Sequence, residues 1–235
     1  MRKWNYLIRF APLYIASGCI LLMATVFASK TVTTIAESIP IQRKYTIVID
    51  AGHGGEDGGA TSCTGAHESQ INLQVALRLR DLCHLLGWKT VMIRTEDISV
   101  YTEGETIAQK KISDLKQRVA ITQQVSNAIL VSIHQNIFSD SRYHGPQVFY
   151  APAEGSQELA ELLQASLREA LDKDSNRACK RADSVYLMQH VTCPAVLIEC
   201  GFMSNPEEEA KLRREDYQKQ LVCVMVSALS HYINA

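Results

Sequence analysis

At 235 residues, the chain has room for one domain of ordinary size and a short extra segment. Hydrophobic residues make up 46% of it, enough to bury a sizeable core, which excludes a disordered chain. The formal net charge is -1 and Lys and Arg form no long stripe, which argues against nucleic acid as a partner.

The first residues differ from the rest. Arg2, Lys3 and Arg9 precede a stretch from Phe10 to Ser29 without a charged side chain. At ~1.5 Å rise per residue such a run spans roughly 30 Å, about one bilayer core. The basic residues ahead of it are expected to stay in the cytoplasm and send the remainder outward. Two readings stay open: a signal peptide cut after Val26-Phe27-Ala28, or an uncleaved membrane anchor. A buried core helix is the bland third. The expected organisation is a leader over 1–29, a Thr- and Ser-rich linker over 30–43, and a folded domain over 44–235. Besides Cys19, six cysteines (Cys63, Cys83, Cys179, Cys193, Cys200 and Cys223) form no CxxC pair. That argues against a cysteine-only metal site and favours plain buried thiols, with disulfides left open.

Tyr45-Thr46-Ile47-Val48-Ile49 reads as a buried first strand, followed by a loop dense in glycine, Asp50-Ala51-Gly52-His53-Gly54-Gly55 and then Gly58-Gly59. From about His67 to Leu86, Ile71, Val75, Leu79, Leu82 and Leu86 recur at helical spacing, and Gly87 stops the helix. Trp88 to Ile93 predicts a second strand. A loose polar stretch over 95–112 leads into a helix bearing Leu115, Val119 and Ile121. Ala128 to Ile133 predicts a continuous apolar strand ending at His134, and Gln147 to Tyr150 another. A helix is expected over Glu158 to Leu171, late strands near 185–189 and 195–198, and a helix over about 215–232. Strands alternating with helices, and apolar throughout rather than on alternate positions, predict an α/β fold: a three-layer, mostly parallel twisted sheet with helices on both faces. In such sheets ligands bind beyond the strand C-termini.

That is where the unusual polar residues fall. The first strand runs into His53, the third into His134 and the last into Glu199, and Glu68 begins the first helix. Two imidazoles and one carboxylate are a common ligand set for catalytic zinc, because they suit the ion and leave a position open for water. Glu199 lies outside that trio and is available as the base that takes a proton from the attacking water and returns it to a leaving amine. Singly, each residue has a plain structural reading. A histidine at a strand end is more often structural, and Glu68 meets the helix dipole without any metal. Glu199, between Ile198 and Cys200, is harder to dismiss, since an unpaired buried carboxylate is costly.

The motifs Ile-Asp-Ala-Gly-His-Gly-Gly around His53, Asp57-Gly58-Gly59-Ala60, Glu68 with Asn72, Ser132-Ile133-His134-Gln135-Asn136, and Pro194 to Pro206 around Glu199 resemble the zinc-dependent N-acetylmuramoyl-L-alanine amidases of the AmiC/CwlD type. The resemblance covers about Tyr45 to Tyr232. It implies one Zn2+ held by His53, Glu68 and His134, with Glu199 as catalytic carboxylate. It also implies the substrate, the amide between the lactyl group of muramic acid and the first L-alanine of the peptidoglycan stem peptide. A single domain behind an N-terminal membrane segment is similar to the CwlD branch, which acts on spore cortex. The expected setting is therefore the outer face of the cytoplasmic membrane or the wall.

Some relatives carry an inhibitory helix after the second histidine motif. The short spacing here predicts none, leaving control to timing of expression, an activating protein partner or substrate modification. Two departures stand out: Gln135 where a small residue is usual, expected to narrow the site mouth, and Cys200 beside Glu199, read as a spectator thiol. His67 is the one further histidine worth weighing as a ligand. Arg118 has two readings, the orienting of a buried acid or substrate carboxylate and an ordinary helix-surface ion pair. The resemblance places Arg94, Arg118 and Asn176-Arg177 where the family commonly carries basic or polar residues near the rim, and Asn136 either steadies His134 or caps the following turn. The rival functions are a zinc peptidase or small-molecule amidase on the same scaffold, and a non-catalytic wall-binding protein.

Overall fold

The computed structural model describes residues 44–234. The leader and linker expected over 1–43 lie outside the described residues. β1 (Thr46–Ala51), α1 (Glu68–Leu85), β2 (Lys89–Met92), α2 (Ile107–Gln123) and β3 (Ala128–Asn136) follow in turn. Then come β4 (Gln147–Tyr150), α3 (Ser156–Leu171), β5 (Lys180–Arg181), α4 (Tyr186–His190), β6 (Ala195–Phe202), α5 (Pro206–Leu212) and α6 (Glu215–Asn234). The strands form one sheet in the order β2-β1-β3-β6-β4-β5. β2, β1, β3 and β6 are parallel, β4 runs antiparallel to β6, and β5 is parallel to β4. The expected α/β sheet is present, with its last two strands reversed.

Because side chains alternate along a strand, the continuous apolar runs bury both faces of the sheet. Ile47, Ile49, Ile129, Val131, Val196 and Ile198 face one way, against Val75 and Leu79 of α1, Leu159 and Leu163 of α3, and Leu221 and Met225 of α6. Val48, Leu130, Ala195 and Leu197 face the other, against Leu187 and Met188 of α4 and Val119 and Ile121 of α2. These are the two helical layers. Among the described residues no helix is long and apolar enough to cross a membrane. The six described cysteines are thiols, with Cys83 and Cys200 buried.

The helix ends follow local chemistry. α1 stops where Gly87 takes φ 64 and donates its N–H to His84 O while Trp88 N reaches Cys83 O. α2 starts earlier than the polar composition suggests, because Thr106 and Gln109 form a reciprocal capping box. The segment near 185–189 is the helix α4, not the expected strand; the neighbouring strand is the two-residue β5. Its short apolar run Val185-Tyr186-Leu187-Met188 has no period long enough to separate the two. α5 is also additional. Asn205 caps it by accepting from Glu207 N and Glu208 N, Pro206 opens it, and three glutamates fill its first turn.

Candidate active site

β1, β3 and β6 are adjacent in the sheet, and their C-terminal ends carry His53, His134 and Glu199 to one rim. His134 and Glu199 face each other directly in the β3–β6 register. Neighbouring strands lie about 4.8 Å apart, so this pairing alone brings an imidazole and a carboxylate together. Glu68, the first residue of α1, closes the group from the helical layer.

The loop after β1 is held in an uncommon shape. His53 takes φ 61, the left-handed region that a residue with a Cβ rarely adopts. Two buried arginines fix it there by gripping backbone carbonyls. Arg94 donates to Ala51 O (2.8 Å), Gly52 O (3.0 Å) and Ser69 O (2.8 Å). Arg118 donates to Ala51 O (3.0 Å) and His53 O (2.7 Å) and pairs with Asp50 and Asp114. Asp50 also accepts from Ser132 Oγ (2.6 Å). Burial would raise the Asp50 carboxyl, but Arg118 and Ser132 hold it below the usual carboxylate value. Of the two readings of Arg118, the structure shows the buried one, in which it orients an acidic group.

Close approach accounts for two glycines. A Cβ on Gly52 would collide with the His134 ring, and one on Gly59 would lie 2.6 Å from Glu68 Oε2 and 2.8 Å from His53 Cδ2. The loop wraps the three side chains with no room for a methyl group.

His53, Glu68 and His134 each offer a ligand atom, and these atoms lie within 4.8 Å of one another. Glu68 Oε1 is 3.0 Å from His134 Nδ1, and Glu68 Oε2 is 3.4 Å from His53 Nε2. His53 Nδ1 lies 3.0 Å from Asp57 Oδ2. If that nitrogen carries the proton, the lone pair of Nε2 faces the Glu68 carboxylate, an arrangement that a cation between them satisfies. The donor set thus fits a divalent metal such as zinc. Glu68 is buried and further held by Ala60 N (2.9 Å), Gln135 N (3.1 Å) and Asn72 Nδ2 (3.1 Å). Burial pushes its carboxyl up, but the His134 hydrogen bond and the charge of both rings outweigh this and hold it at about 2. The hydrogen bond to His53 likewise holds Asp57 well below the carboxylate range.

Glu199 is the opposite case. Its Oε2 is buried and has no hydrogen-bond partner among the described residues. Burial raises its carboxyl to about 7, with His134 opposing and Glu68 adding to the rise. An orphaned carboxylate oxygen beside three clustered ligand-type atoms marks a position suited to meet something outside the chain.

Other expectations resolve differently. His67 is exposed, hydrogen-bonds Thr61 Oγ1 (3.2 Å) and stays out of the cluster. Gln135 does not narrow a mouth: it is buried, and its Nε2 donates to Asn72 Oδ1 (3.1 Å) behind Glu68. The alternation of β3 turns it away from the His134 side. The Cys200 thiol is buried and pushed up by that burial, and it too stays out of the cluster. Asn136 continues β3, where its carbonyl accepts from Met203 N (2.8 Å). Sequence reasoning gave no site role to Asp57 or Asn72, although each lies four residues from a candidate ligand, His53 or Glu68. Asn72 shows that signal most directly, since four residues along a helix share a face.

Known proteins resemble this chain in sequence and fold. The family model described as N-acetylmuramoyl-L-alanine amidase matches residues 47–231. The germination-specific N-acetylmuramoyl-L-alanine amidase of Bacillus subtilis is 35% identical over 197 residues, covering 83% of this chain and 82% of its own length. The CwlD amidase of Clostridioides difficile, solved in complex with the GerS lipoprotein, is 38% identical. Its TM-score is 0.77, over 80% of this chain and 98% of that one. The catalytic domain of CwlV, an N-acetylmuramoyl-L-alanine amidase from Bacillus (Paenibacillus) polymyxa var. colistinus, is 28% identical with a TM-score of 0.68, over 81% and 98% of the two chains. The chain therefore belongs to the N-acetylmuramoyl-L-alanine amidase family and is a peptidoglycan hydrolase.

Proposed function

We propose that this amidase cuts the bond between the muramic lactyl group and L-alanine with His53, Glu68 and His134 as the ligands of one zinc ion and Glu199 as the proton-transfer group. The observation that carries the reading is the unpartnered Glu199 oxygen beside a cluster of three ligand atoms within 4.8 Å of one another. When bound, zinc supplies Lewis acidity and makes water a nucleophile near neutral pH. Asp57 fixes the ring of His53, and Asn72 and Gln135 N fix the carboxylate of Glu68. Glu199 takes a proton as the water oxygen attacks the lactyl carbonyl carbon. It then delivers that proton to the alanine nitrogen as the carbon–nitrogen bond breaks. The products are a free lactyl carboxylate on the glycan and a peptide with an L-alanine amino terminus.

The germination-specific relative supports a role in spore cortex, and the relative solved with a lipoprotein supports a protein partner for this chain. Residues 1–29 serve, in this reading, as an export leader or membrane anchor joined by 30–43 to the catalytic domain. Digestion of purified wall by the zinc-loaded protein should release new L-alanine amino termini without new sugar reducing ends. New D-amino acid termini would instead indicate a peptidase, and no product at all would leave a wall-binding protein.

A further inference from the structure

We infer that the cleft beside β4 is a subsite for a carboxylate of the stem peptide and that Arg177 binds it; the inference rests on the amidase reading above. The cleft has a volume of about 610 Å³, and Tyr143, Gln147, Asn176, Arg177 and Lys180 line it. It adjoins the reaction centre, because Gln147 faces Glu199 across the β4–β6 pair. Phe202, at the end of the strand that carries Glu199, lies under the Arg177 guanidinium at 4.9 Å, and Tyr143 flanks it at 5.8 Å.

Arg177 is aimed rather than free. Its Nε donates to His144 O (3.2 Å) and its Nη1 to Gln147 Oε1 (3.4 Å). Gln147 is fixed in turn by Gln164 Oε1 (3.2 Å) and Ala178 O (2.6 Å). All these partners are neutral. Among the described residues no carboxylate pairs with Arg177: Asp140 on the same cleft is taken by Arg142, and Asp174 makes no ion pair with it. A half-buried guanidinium stacked on two rings, oriented through neutral acceptors and lacking a counter-ion, presents its remaining N–H groups to an anion.

Substrate chemistry says which anion. The lactyl carboxyl is tied up in the amide being cut, so the anions nearest that bond lie on the peptide side. D-Glutamate, joined to L-alanine through its α-amino nitrogen and to the next residue through its side-chain carboxyl, keeps a free α-carboxylate, and a diamino acid after it that bears its own carboxylate carries another. A strand spacing of about 4.8 Å and an extended advance of about 3.3 Å per residue bring either within reach of a cleft one strand from Glu199.

The test uses the zinc-loaded full chain and soluble muramyl peptides with both carboxylates free, each amidated singly, or both amidated. For wild type, KM should rise about ten-fold on the doubly amidated substrate, and the single amidations show which carboxylate is bound. Arg177→Gln should raise KM about ten-fold on the acidic substrate with kcat within about two-fold, and match wild type on the neutral one. Arg177→Lys should recover part of the affinity. Equal losses on acidic and neutral substrates would overturn the subsite. So would a wild-type KM indifferent to amidation, which needs no variant and stands even where Arg177→Gln fails to fold. If wild type released no L-alanine termini from any of these peptides or from wall, the amidase reading itself would fail, which is a separate result.

Discussion

Glu68 and Glu199 are recessed carboxylates of one site with opposite surroundings. Glu68 accepts from Ala60, Asn72, Gln135 and His134, whereas Glu199 Oε2 accepts nothing among the described residues. The first is built to stay charged. The second is held near 7, where a group can both take and release a proton. We expect Glu199→Gln to keep its zinc and lose ~10²–10⁴ of its turnover; near-normal turnover would remove Glu199 from proton transfer. The same shift has a consequence for stability. Between the unfolded value of 4.5 and the folded value of about 7, the folded chain holds a proton that the unfolded chain releases. Metal-free wild type therefore loses stability relative to Glu199→Gln as pH rises through that window, by up to about 3 kcal/mol. Denaturant melts at pH 4 and pH 8 should converge at the lower pH and favour the variant at the higher. The four principal candidate residues, His53, Glu68, His134 and Glu199, stood out in the sequence because they break apolar patterns at strand ends and a helix start. Asp57 and Asn72 were not given roles, because a short polar residue in a glycine loop or on a helix has many ordinary uses.

The elements converge through two arginines that hold backbone rather than substrate. Arg118, on α2, reaches across to the end of β1 and the loop beyond it, while Arg94, just after β2, ties the same loop to Ser69 in α1. Removing one partner of a buried pair leaves the other uncompensated. Arg118→Met should therefore cost about 3–5 kcal/mol in chemical unfolding, by stranding Asp50. Arg80→Met, which breaks an exposed contact with Asp81, should cost about 0–1 kcal/mol. Equal costs would mean that Arg118 is not holding the loop. Sequence could not place Arg118, because its partner lies 68 residues away and only the packing of α2 on the sheet brings them together. Helices were legible from periodicity and the long strands from unbroken apolar runs. The segment Tyr186–His190 was not, since five residues are too few to display a period.

For the whole molecule, His53, Glu68 and His134 come from distant parts of the chain and meet only once β1, β3 and α1 have assembled. Binding of a metal by these three side chains would thus be coupled to the complete fold. At free zinc about 1,000-fold above Kd, the folded state gains ~4 kcal/mol, which for a chain of this size raises Tm by roughly ten degrees. Chelation should remove that gain in calorimetry, and His134→Ala should melt at one temperature with or without the ion. A His134→Ala variant that kept the full increment would exclude this cluster as the metal site. The layer order was predictable from the apolar strands. The reversal of β4 was not, because a short apolar run reads the same in either direction, and β5 was not, because two exposed cationic residues carry no apolar pattern.

That reversed pair also decides how the sheet ends. β5 has only two residues, both exposed and both cationic, Lys180 and Arg181; at the far side, β2 opens on exposed Lys89. A neighbouring copy would find few free backbone groups at either border and would have to set its own positive charges against these. The protein should therefore tolerate crowding at a surface without stacking into fibres, and each molecule keeps the rim that carries His53, His134 and Glu199 clear for the polymer it cuts.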